Sequence, residues 1–236
     1  MRAAMRAALV LALLTLAGAA DAKAPTEPVR RTKGWWNTRH AAINTEAVRV
    51  KPELIFLGDS ITAGWERTGK EVWQRRYGER KAVNMGIGGD ETGHLLWRLA
   101  HGNVQGIQPR LAVLLIGVNN AFRRDHNAVD IAAGVRAVVR DVRRRLPRTR
   151  VLLLAVFPAG ARPGRLRGKI AAINRRIAGL ADRKHVHYLD IGARFLEKDG
   201  RISEEVMFDY LHLTHKGYTI WADAMEPTLH RLLRSR

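Results

Sequence analysis

Short apolar segments alternate with longer amphipathic segments along most of the chain. Five apolar runs predict β-strands, at residues 54–57, 82–84, 111–116, 151–156 and 186–189. Residues 127–146 and 164–183 place Ile, Leu and Val at helical spacing, and a last helix is predicted from Thr214 or His215 to Leu233. The tryptophan-rich segment 35–48 predicts a loop that enters a short amphipathic helix.

Two of the predicted strands are apolar at every position, not at alternate positions. They read "LAVLLI" (111–116) and "VLLLAV" (151–156), which is typical of strands buried on both faces of a parallel sheet. Regular alternation of such strands with helices predicts an α/β fold, a three-layer α/β/α sandwich around a central five-stranded parallel sheet. In sheets of this kind, ligands bind beyond the carboxyl ends of the strands.

The first 22 residues have the pattern of a secretory signal peptide. Arg2 and Arg6 precede an apolar segment at 7–20, and Ala20–Asp21–Ala22 offers a small-residue cleavage site. An uncleaved N-terminal anchor is the alternative. We therefore expect a signal peptide over 1–22, an N-terminal extension over 23–51 and one domain over 52–236, in a periplasmic or secreted protein without a transmembrane span in its mature part.

Composition narrows the possible chemistry. The 236 residues include no cysteine, which excludes disulfides, thiolate metal sites and a thiol nucleophile. The 41 Lys and Arg against 22 Asp and Glu give a net charge of +19 and favour anionic surroundings. The basic residues are scattered without a nucleic-acid-binding motif, so we expect no specific nucleic acid partner. The histidine pairs 185/187 and 212/215 lack a third ligand, so we expect neither a metal nor another cofactor.

Unusual residue types follow the predicted strands. Ser60 ends "LIFLGDS", and "NMGIGGDET" (84–92), "GVNNAF" (117–122) and "FDYLHLTHKGY" (208–218) lie after later strands or near the C-terminus. A serine hydroxyl becomes a nucleophile when an imidazole accepts its proton, and a carboxylate must orient that imidazole. Neutral N–H donors must then stabilise the oxyanion. The segments together contain the groups of a serine esterase.

The spacing within these segments assigns candidate roles. Asp209 and His212 are three residues apart, which would place both side chains on one side of a helical turn as orienting carboxylate and base. The candidate oxyanion donors are the backbone N–H groups of Ser60 and Gly89 and the side-chain amide of Asn119.

Four ordered blocks, "GDS", "GIGGDET", "GVNN" and "FDYLHLTHKGY", resemble the SGNH (GDSL-type) hydrolase superfamily. The resemblance covers about residues 52–233 and is strongest with the branch that holds the catalytic subunits of platelet-activating-factor acetylhydrolase Ib and bacterial esterases. Many members have G-x-N-D where this chain has "GVNN", but that branch also carries a double asparagine. The resemblance implies a flavodoxin-like sandwich.

The same resemblance implies functional residues. It makes Ser60 the nucleophile, His212 the base and Asp209 its partner, with Ser60, Gly89 and Asn119 in the oxyanion hole. In that branch, the neighbours of catalytic residues shape the acyl pocket, which here are Ile61, Val118 and Leu211. The related subunits dimerise, so a homodimer is possible.

Several residues have plainer interpretations. A serine between a strand and a helix is usually a helix cap, although the other blocks favour a nucleophile at Ser60. His215 is a rival base, but it lies six residues from Asp209 and out of helical register. Asp59 is expected to cap or brace the loop. Most tryptophans are expected in the core or at its rim, and Trp65 is the best candidate to face the cleft.

We therefore predict a serine esterase that hydrolyses short-acyl esters, in particular acetyl esters, on a carbohydrate or another small alcohol. One alternative is an acetylhydrolase acting on a phospholipid that resembles platelet-activating factor. Another alternative is a noncatalytic module that uses the same scaffold to bind a glycan or the cell envelope.

Overall fold

The computed structural model describes residues 23–234, and its five strands lie close to the predicted runs. The second strand extends two residues further than predicted, and the fourth ends two residues earlier. The strands are Leu54–Gly58 (β1), Ala82–Gly86 (β2), Leu111–Leu115 (β3), Arg150–Leu154 (β4) and Val186–Leu189 (β5).

Eight α-helices connect and flank the strands in the described part of the chain. They are Gly34–Val50 (α1), Ser60–Ala63 (α2), Lys70–Tyr77 (α3), Thr92–Ala100 (α4), Val118–Phe122 (α5), Ala128–Arg145 (α6), Arg165–Ala178 (α7) and His215–Arg234 (α8). Short 3₁₀ turns occupy Gly64–Glu66, Gly78–Arg80 and Gly192–Phe195.

The five strands form one parallel sheet in the order β2-β1-β3-β4-β5. Every residue of β1 and β3 is buried, because helices cover both faces of the sheet. Helix α3 packs beside α8, while α4 packs beside α6 and α6 beside α7. The predicted three-layer α/β/α sandwich is confirmed.

The strand order creates a crevice at the carboxyl ends of β1 and β3. The chain runs from β1 to β2 on one side and then returns to β3 on the other side of β1. A reversal of this kind is where doubly wound sheets bind their ligands. Ser60 directly follows β1, Gly89 follows β2 and Asn119 follows β3, so the candidate residues gather at this end.

Helix α1 differs from its sequence prediction. The segment 35–48 contains no loop, because the helix begins at Gly34 and continues for 17 residues. Trp36, His40, Ile43 and Ala47 are buried at intervals of three and four residues, so one side of the helix faces the domain. Trp35 is exposed and Trp36 is buried, so the two tryptophans lie on opposite sides of the boundary between the exposed and the buried face of α1.

Within residues 23–234, no helix combines the length and the apolar character needed to cross a bilayer. The predicted signal peptide at 1–22 lies outside the described residues.

Candidate active site

The short helix after β1 presents Ser60 at the end of the sheet. Asp59, not Ser60, is the helix cap, since its Oδ1 accepts the backbone N–H of Ile61 at 3.0 Å. The expected bracing role of Asp59 therefore fits the structure. The helix approaches β2 so closely that a Cβ atom on Gly86 would lie 2.2 Å from the backbone nitrogen of Ala63. Only glycine at 86 allows α2 to sit there.

The structure brings Ser60, His212 and Asp209 together from distant parts of the chain. His212 Nε2 lies 2.9 Å from Ser60 Oγ, and His212 Nδ1 lies 2.6 Å from Asp209 Oδ2. The three side chains thus form a continuous hydrogen-bonded path from carboxylate to hydroxyl. This is the geometry that general-base activation of a serine requires.

Asp209 and His212 lie in a tight loop, and the helical turn expected from their spacing is wrong. Met207 and Leu213 form an isolated antiparallel bridge at the base of the loop. Asp209 Oδ1 accepts the backbone N–H groups of Leu211 at 3.1 Å and His212 at 2.7 Å. An aspartate that accepts backbone N–H groups two and three residues ahead fixes a turn by itself. The loop therefore achieves the same pairing without a helix.

Asp209 is held in its ionised form. Its partial burial raises the pKa, but hydrogen bonds from the ring and backbone of His212 outweigh that effect and keep the pKa below its usual value. A carboxylate at this position favours the His212 tautomer that carries its hydrogen on Nδ1, and in that tautomer Nε2 is the acceptor for the Ser60 hydroxyl.

Two other sequence expectations concern neighbouring residues. His215 is the exposed first residue of α8, with Nε2 3.6 Å from Glu71 Oε2, and it does not join the path to Ser60. Trp65 is completely buried, so the expectation that it faces the cleft is wrong. Its ring packs against Tyr218 and Trp221 at centroid distances of 4.5 and 4.9 Å, and this aromatic cluster explains its burial.

The candidate oxyanion donors lie on adjoining segments. A Cβ atom on Gly88 would lie 4.0 Å from Ser60 Cβ, so the loop after β2 passes beside the serine. Gly89 has a φ of +72°, a conformation suited to glycine. None of the hydrogen bonds among the described residues uses the N–H of Ser60 or of Gly89. Asn119 donates one amide hydrogen to the Asp90 carbonyl at 2.9 Å, which leaves its second amide hydrogen available.

A completely buried arginine anchors this oxyanion loop, residues 86–90. Arg98 Nε donates to Asp90 Oδ2 at 2.7 Å, and its other nitrogens donate to the carbonyls of Met85 at 2.9 Å and Gly58 at 3.1 Å. Trp36 Nε1 donates to Asp90 Oδ1 at 2.7 Å. The bonds link the ends of β1 and β2 to the loop, and they compensate the buried charges.

Arg98 was not identified from the sequence, although a signal exists. It lies in "HLLWRLA", three residues after the apolar Leu95 and on the same side of the helix. A charged residue on an apolar helix face requires a buried partner, and Asp90 is that partner.

The segment 24–31, here called the strap, lies against the other side of the oxyanion loop. Val29 N–H donates to the Gly93 carbonyl at 2.9 Å, and the Pro25 carbonyl accepts the Thr92 hydroxyl at 2.7 Å. Arg31 Nη1 donates to the Gly88 carbonyl at 2.9 Å. The predicted N-terminal extension thus contacts the surroundings of the site.

Ser60 and His212 line a cleft of about 710 Å³. Trp35 and Phe208 also line it, and each is about half exposed. Within residues 23–234, no group of three His, Asp or Glu side chains is placed to hold a metal ion. The cleft thus contains the hydroxyl of Ser60, the imidazole of His212 and the partly exposed rings of Trp35 and Phe208.

The three residues expected to shape an acyl pocket do not line this cleft. Ile61 and Val118 are almost completely buried, and Leu211 is partly buried against the core. They flank Ser60, Asn119 and His212 in sequence, and their role stays a prediction.

Comparison with known proteins identifies the family. Residues 56–220 match the GDSL-like lipase/acylhydrolase family. The chain is 37% identical over 201 residues to the platelet-activating factor acetylhydrolase IB subunit alpha1 of Bos taurus, covering 85% of this chain and 84% of that protein. The chain belongs to the GDSL-like lipase/acylhydrolase family. The predicted resemblance is confirmed, and this GDSL family member is a carboxylic ester hydrolase.

Solved structures of other GDSL proteins share the fold. A GDSL-like lipase from Bacteroides thetaiotaomicron gives a TM-score of 0.68 at 20% identity, covering 82% of this chain and 97% of that one. An acetylxylan esterase from Geobacillus stearothermophilus gives a TM-score of 0.60 at 20% identity, covering 78% of this chain and 94% of that one. The order of strands and helices described above is thus that of an experimentally known architecture.

Proposed function

We propose that this GDSL hydrolase removes short acyl groups, in particular acetyl groups, from esters of carbohydrates. The observation that carries the proposal is the hydrogen-bonded path from Asp209 through His212 to Ser60. The candidate oxyanion donors Gly89 and Asn119 follow β2 and β3, the strands on either side of β1. These groups suffice for hydrolysis through an acyl-enzyme.

In the first half of the reaction, Ser60 Oγ attacks the ester carbonyl carbon and its proton passes to His212 Nε2. Asp209 stabilises the imidazolium that forms. The negative charge on the carbonyl oxygen is held by the N–H groups of Ser60 and Gly89 and by the Asn119 amide. Loss of one donor of this kind typically lowers the rate by a factor of about 10²–10³. When the tetrahedral intermediate collapses, the bond to the alcohol breaks and His212 protonates the leaving oxygen.

In the second half, water attacks the acyl carbon and gives a proton to His212. The bond to Ser60 Oγ then breaks, the oxygen regains its proton from His212 and the carboxylic acid leaves. The enzyme returns to its starting protonation state.

A short acyl group is supported by the 37% identity to a platelet-activating factor acetylhydrolase subunit, whose name specifies acetyl esters. Ile61, Val118 and Leu211 adjoin Ser60, Asn119 and His212 in sequence but do not line the cleft, so their part in excluding longer acyl chains stays a prediction.

A carbohydrate as the alcohol is supported by the cleft. Trp35 and Phe208 expose aromatic surface in the same cleft as the serine, and aromatic rings supply apolar faces against which a sugar ring can pack. The signal peptide predicted at 1–22 supports an activity outside the cytoplasm, where acetylated polysaccharide occurs.

A phospholipid acetyl ester is the second candidate. It is favoured by the 37% identity to a platelet-activating factor acetylhydrolase subunit. The two candidates share the acyl group and differ in the alcohol.

Ranking kcat/KM over three substrate series tests the proposal. The series are p-nitrophenyl esters of increasing acyl length, acetylated xylo-oligosaccharides, and an acetylated glycerophospholipid. We expect acetyl esters to exceed longer esters and the acetylated sugars to exceed the phospholipid, with Ser60→Ala inactive throughout. Preference for octanoyl esters would overturn the acyl assignment, and preference for the phospholipid would overturn the carbohydrate assignment.

A further inference from the structure

The charged side chains of the cleft are unequally partnered. Arg39, Glu66 and Arg67 line it together with Ser60. Arg39 Nη2 donates to Glu66 Oε1 at 2.6 Å and to the Asn84 carbonyl at 3.2 Å. The negative charge of Glu66 is thus matched by Arg39, and the positive charge of Arg67 is left over.

The guanidinium of Arg67 has no hydrogen bond or ion pair with any other described residue, while its backbone is fixed. Its N–H donates to the Gly64 carbonyl at 2.9 Å, and the neighbouring Trp65 is completely buried. The side chain therefore extends from a rigid support and offers five N–H donors in a planar fork. Carboxylates and phosphates are the groups that such a fork pairs with in two hydrogen bonds.

The aromatic residues of the cleft are also held in place. The guanidinium carbon of Arg31 lies 5.4 Å from the centroid of the Trp35 ring, a distance at which a cation attracts the ring face. Phe208 stacks on His212 with centroids 5.9 Å apart and an angle of 18° between the rings. The cleft thus offers apolar ring faces and an unpaired guanidinium beside the same serine.

We propose that the alcohol side of this cleft binds a sugar that carries a negative charge, so that the preferred substrate is an O-acetylated uronate-type sugar. Trp35 and Phe208 contact the ring and Arg67 pairs with the carboxylate. This inference rests on the proposed hydrolysis of carbohydrate acetyl esters. The net charge of +19 attracts an acidic polysaccharide toward the enzyme and adds to the effect of Arg67.

Matched esters test the inference. The probes are mono-O-acetylated methyl glucoside, the corresponding acetylated methyl glucuronoside and an acetylated glucose 6-phosphate, each measured with the wild type, Arg67→Gln and Arg49→Gln. Arg49 is the control because it is exposed in the last turn of α1, outside the cleft, and its replacement removes the same charge.

We expect the wild type to have a higher kcat/KM for the glucuronoside than for the glucoside. Arg67→Gln should lower kcat/KM for the glucuronoside about fivefold to tenfold, mainly through KM, the size expected for one charge-assisted contact at an exposed position. Its activity on the neutral glucoside should stay within about twofold, and Arg49→Gln should behave like the wild type on all three esters. Faster hydrolysis of the phosphate than of the glucuronoside would overturn the carboxylate in favour of a phosphorylated sugar.

The outcomes separate this inference from the function on which it rests. Equal rates for the neutral and charged sugars, or an equal effect of Arg67→Gln on both, would overturn the inference and leave the carbohydrate esterase intact. Hydrolysis of p-nitrophenyl acetate without hydrolysis of any sugar ester would overturn both.

Discussion

Asp59, next to Ser60, has a carboxyl group in an unusual environment. It is completely buried, and among the described residues only its Oδ1 is hydrogen-bonded. Burial, reinforced by the nearby Asp90 carboxylate, raises the pKa of Asp59 to about 7. The Asp59 side chain, which caps helix α2, is therefore destabilised in its ionised form by the folded structure.

Replacing Asp59 with asparagine should change how stability depends on pH. The folded protein holds the Asp59 proton up to about pH 7, whereas an unfolded aspartate loses it near pH 4. The folded state thus binds more protons than the unfolded state between these two pH values. The free energy of unfolding of the wild type therefore falls as the pH rises through this window, and the Asp59 ionisation causes no further loss above it. A rise in the pKa of this size corresponds to a total loss of about 4 kcal/mol in the free energy of unfolding.

Asp59→Asn keeps the oxygen that accepts the Ile61 N–H and lacks the ionisation. Urea unfolding at about pH 4.5 and about pH 8 should therefore show the wild type losing stability relative to Asp59→Asn at the higher pH. An unchanged difference between the two proteins at both values would contradict the assignment.

At the scale of single residues, the sequence predicted polar groups that must converge for chemistry. Ser60, Asp209 and His212 follow strands or share a short segment, and the structure brings them together. Arg98 was missed because a charged residue on the apolar face of its helix was overlooked, and because two of its four acceptors among the described residues are the backbone carbonyls of Met85 and Gly58, which the residue types do not indicate. Trp65 was misplaced because exposure depends on packing with Tyr218 and Trp221, which are distant in sequence.

At the scale of elements, the oxyanion loop is held from two sides. Arg98 bonds to it from within the core, and Arg31 of the strap bonds to its Gly88 carbonyl from outside. A loop that must present an N–H to a developing charge gains rate from being held in place before the reaction. The strap therefore has a measurable consequence for catalysis.

Arg31→Gln should lower kcat about tenfold and leave KM within about twofold, because the loop acts on the transition state more than on bound substrate. Arg30→Gln is the matched control, since Arg30 contacts Asn37 and the face of Trp97 and does not bond to the loop. Steady-state kinetics on p-nitrophenyl acetate measure both variants. Added guanidinium should partly restore kcat in Arg31→Ala. Equal kcat values in Arg31→Gln and Arg30→Gln would contradict a positioning role.

Elements with strong periodicity were predicted well, and elements fixed by tertiary contacts were not. The five strands and the helices α6, α7 and α8 follow their apolar patterns within a few residues. Helix α1 was taken for a loop at its start, because the exposed Trp35 beside the buried Trp36 obscures the helical period. The turn that carries Asp209 and His212 was expected to be helical, since a spacing of three residues does not distinguish an aspartate-capped loop from a helical turn.

At the scale of the molecule, residues 23–51 pack closely against the rest of the chain. Trp36, Ile43 and Ala47 of α1 are almost completely buried, and the Trp36 indole bonds to Asp90 in the oxyanion loop. Removing this segment would expose the core and leave one oxygen of a buried carboxylate without its donor.

A chain that begins at Pro52 should therefore be far less stable than one that begins at Lys23. Loss of the Trp36 contacts alone is expected to cost about 3–5 kcal/mol, the range for deleting a large buried aromatic side chain. Thermal unfolding followed by circular dichroism measures the difference. Cooperative unfolding of both chains at the same midpoint would show that residues 23–51 are an independent extension.

The central claim is that Ser60 is the nucleophile activated by His212, and the chain contains only two other serines, Ser203 and Ser235. Treating the folded protein with a fluorophosphonate and mapping the adduct by mass spectrometry tests it most directly. We predict a single adduct on Ser60, formed in parallel with loss of acetyl esterase activity, strongly slowed in His212→Ala and absent in Ser60→Ala. Full esterase activity after treatment with no adduct on Ser60, or retained activity in Ser60→Ala, would contradict the account.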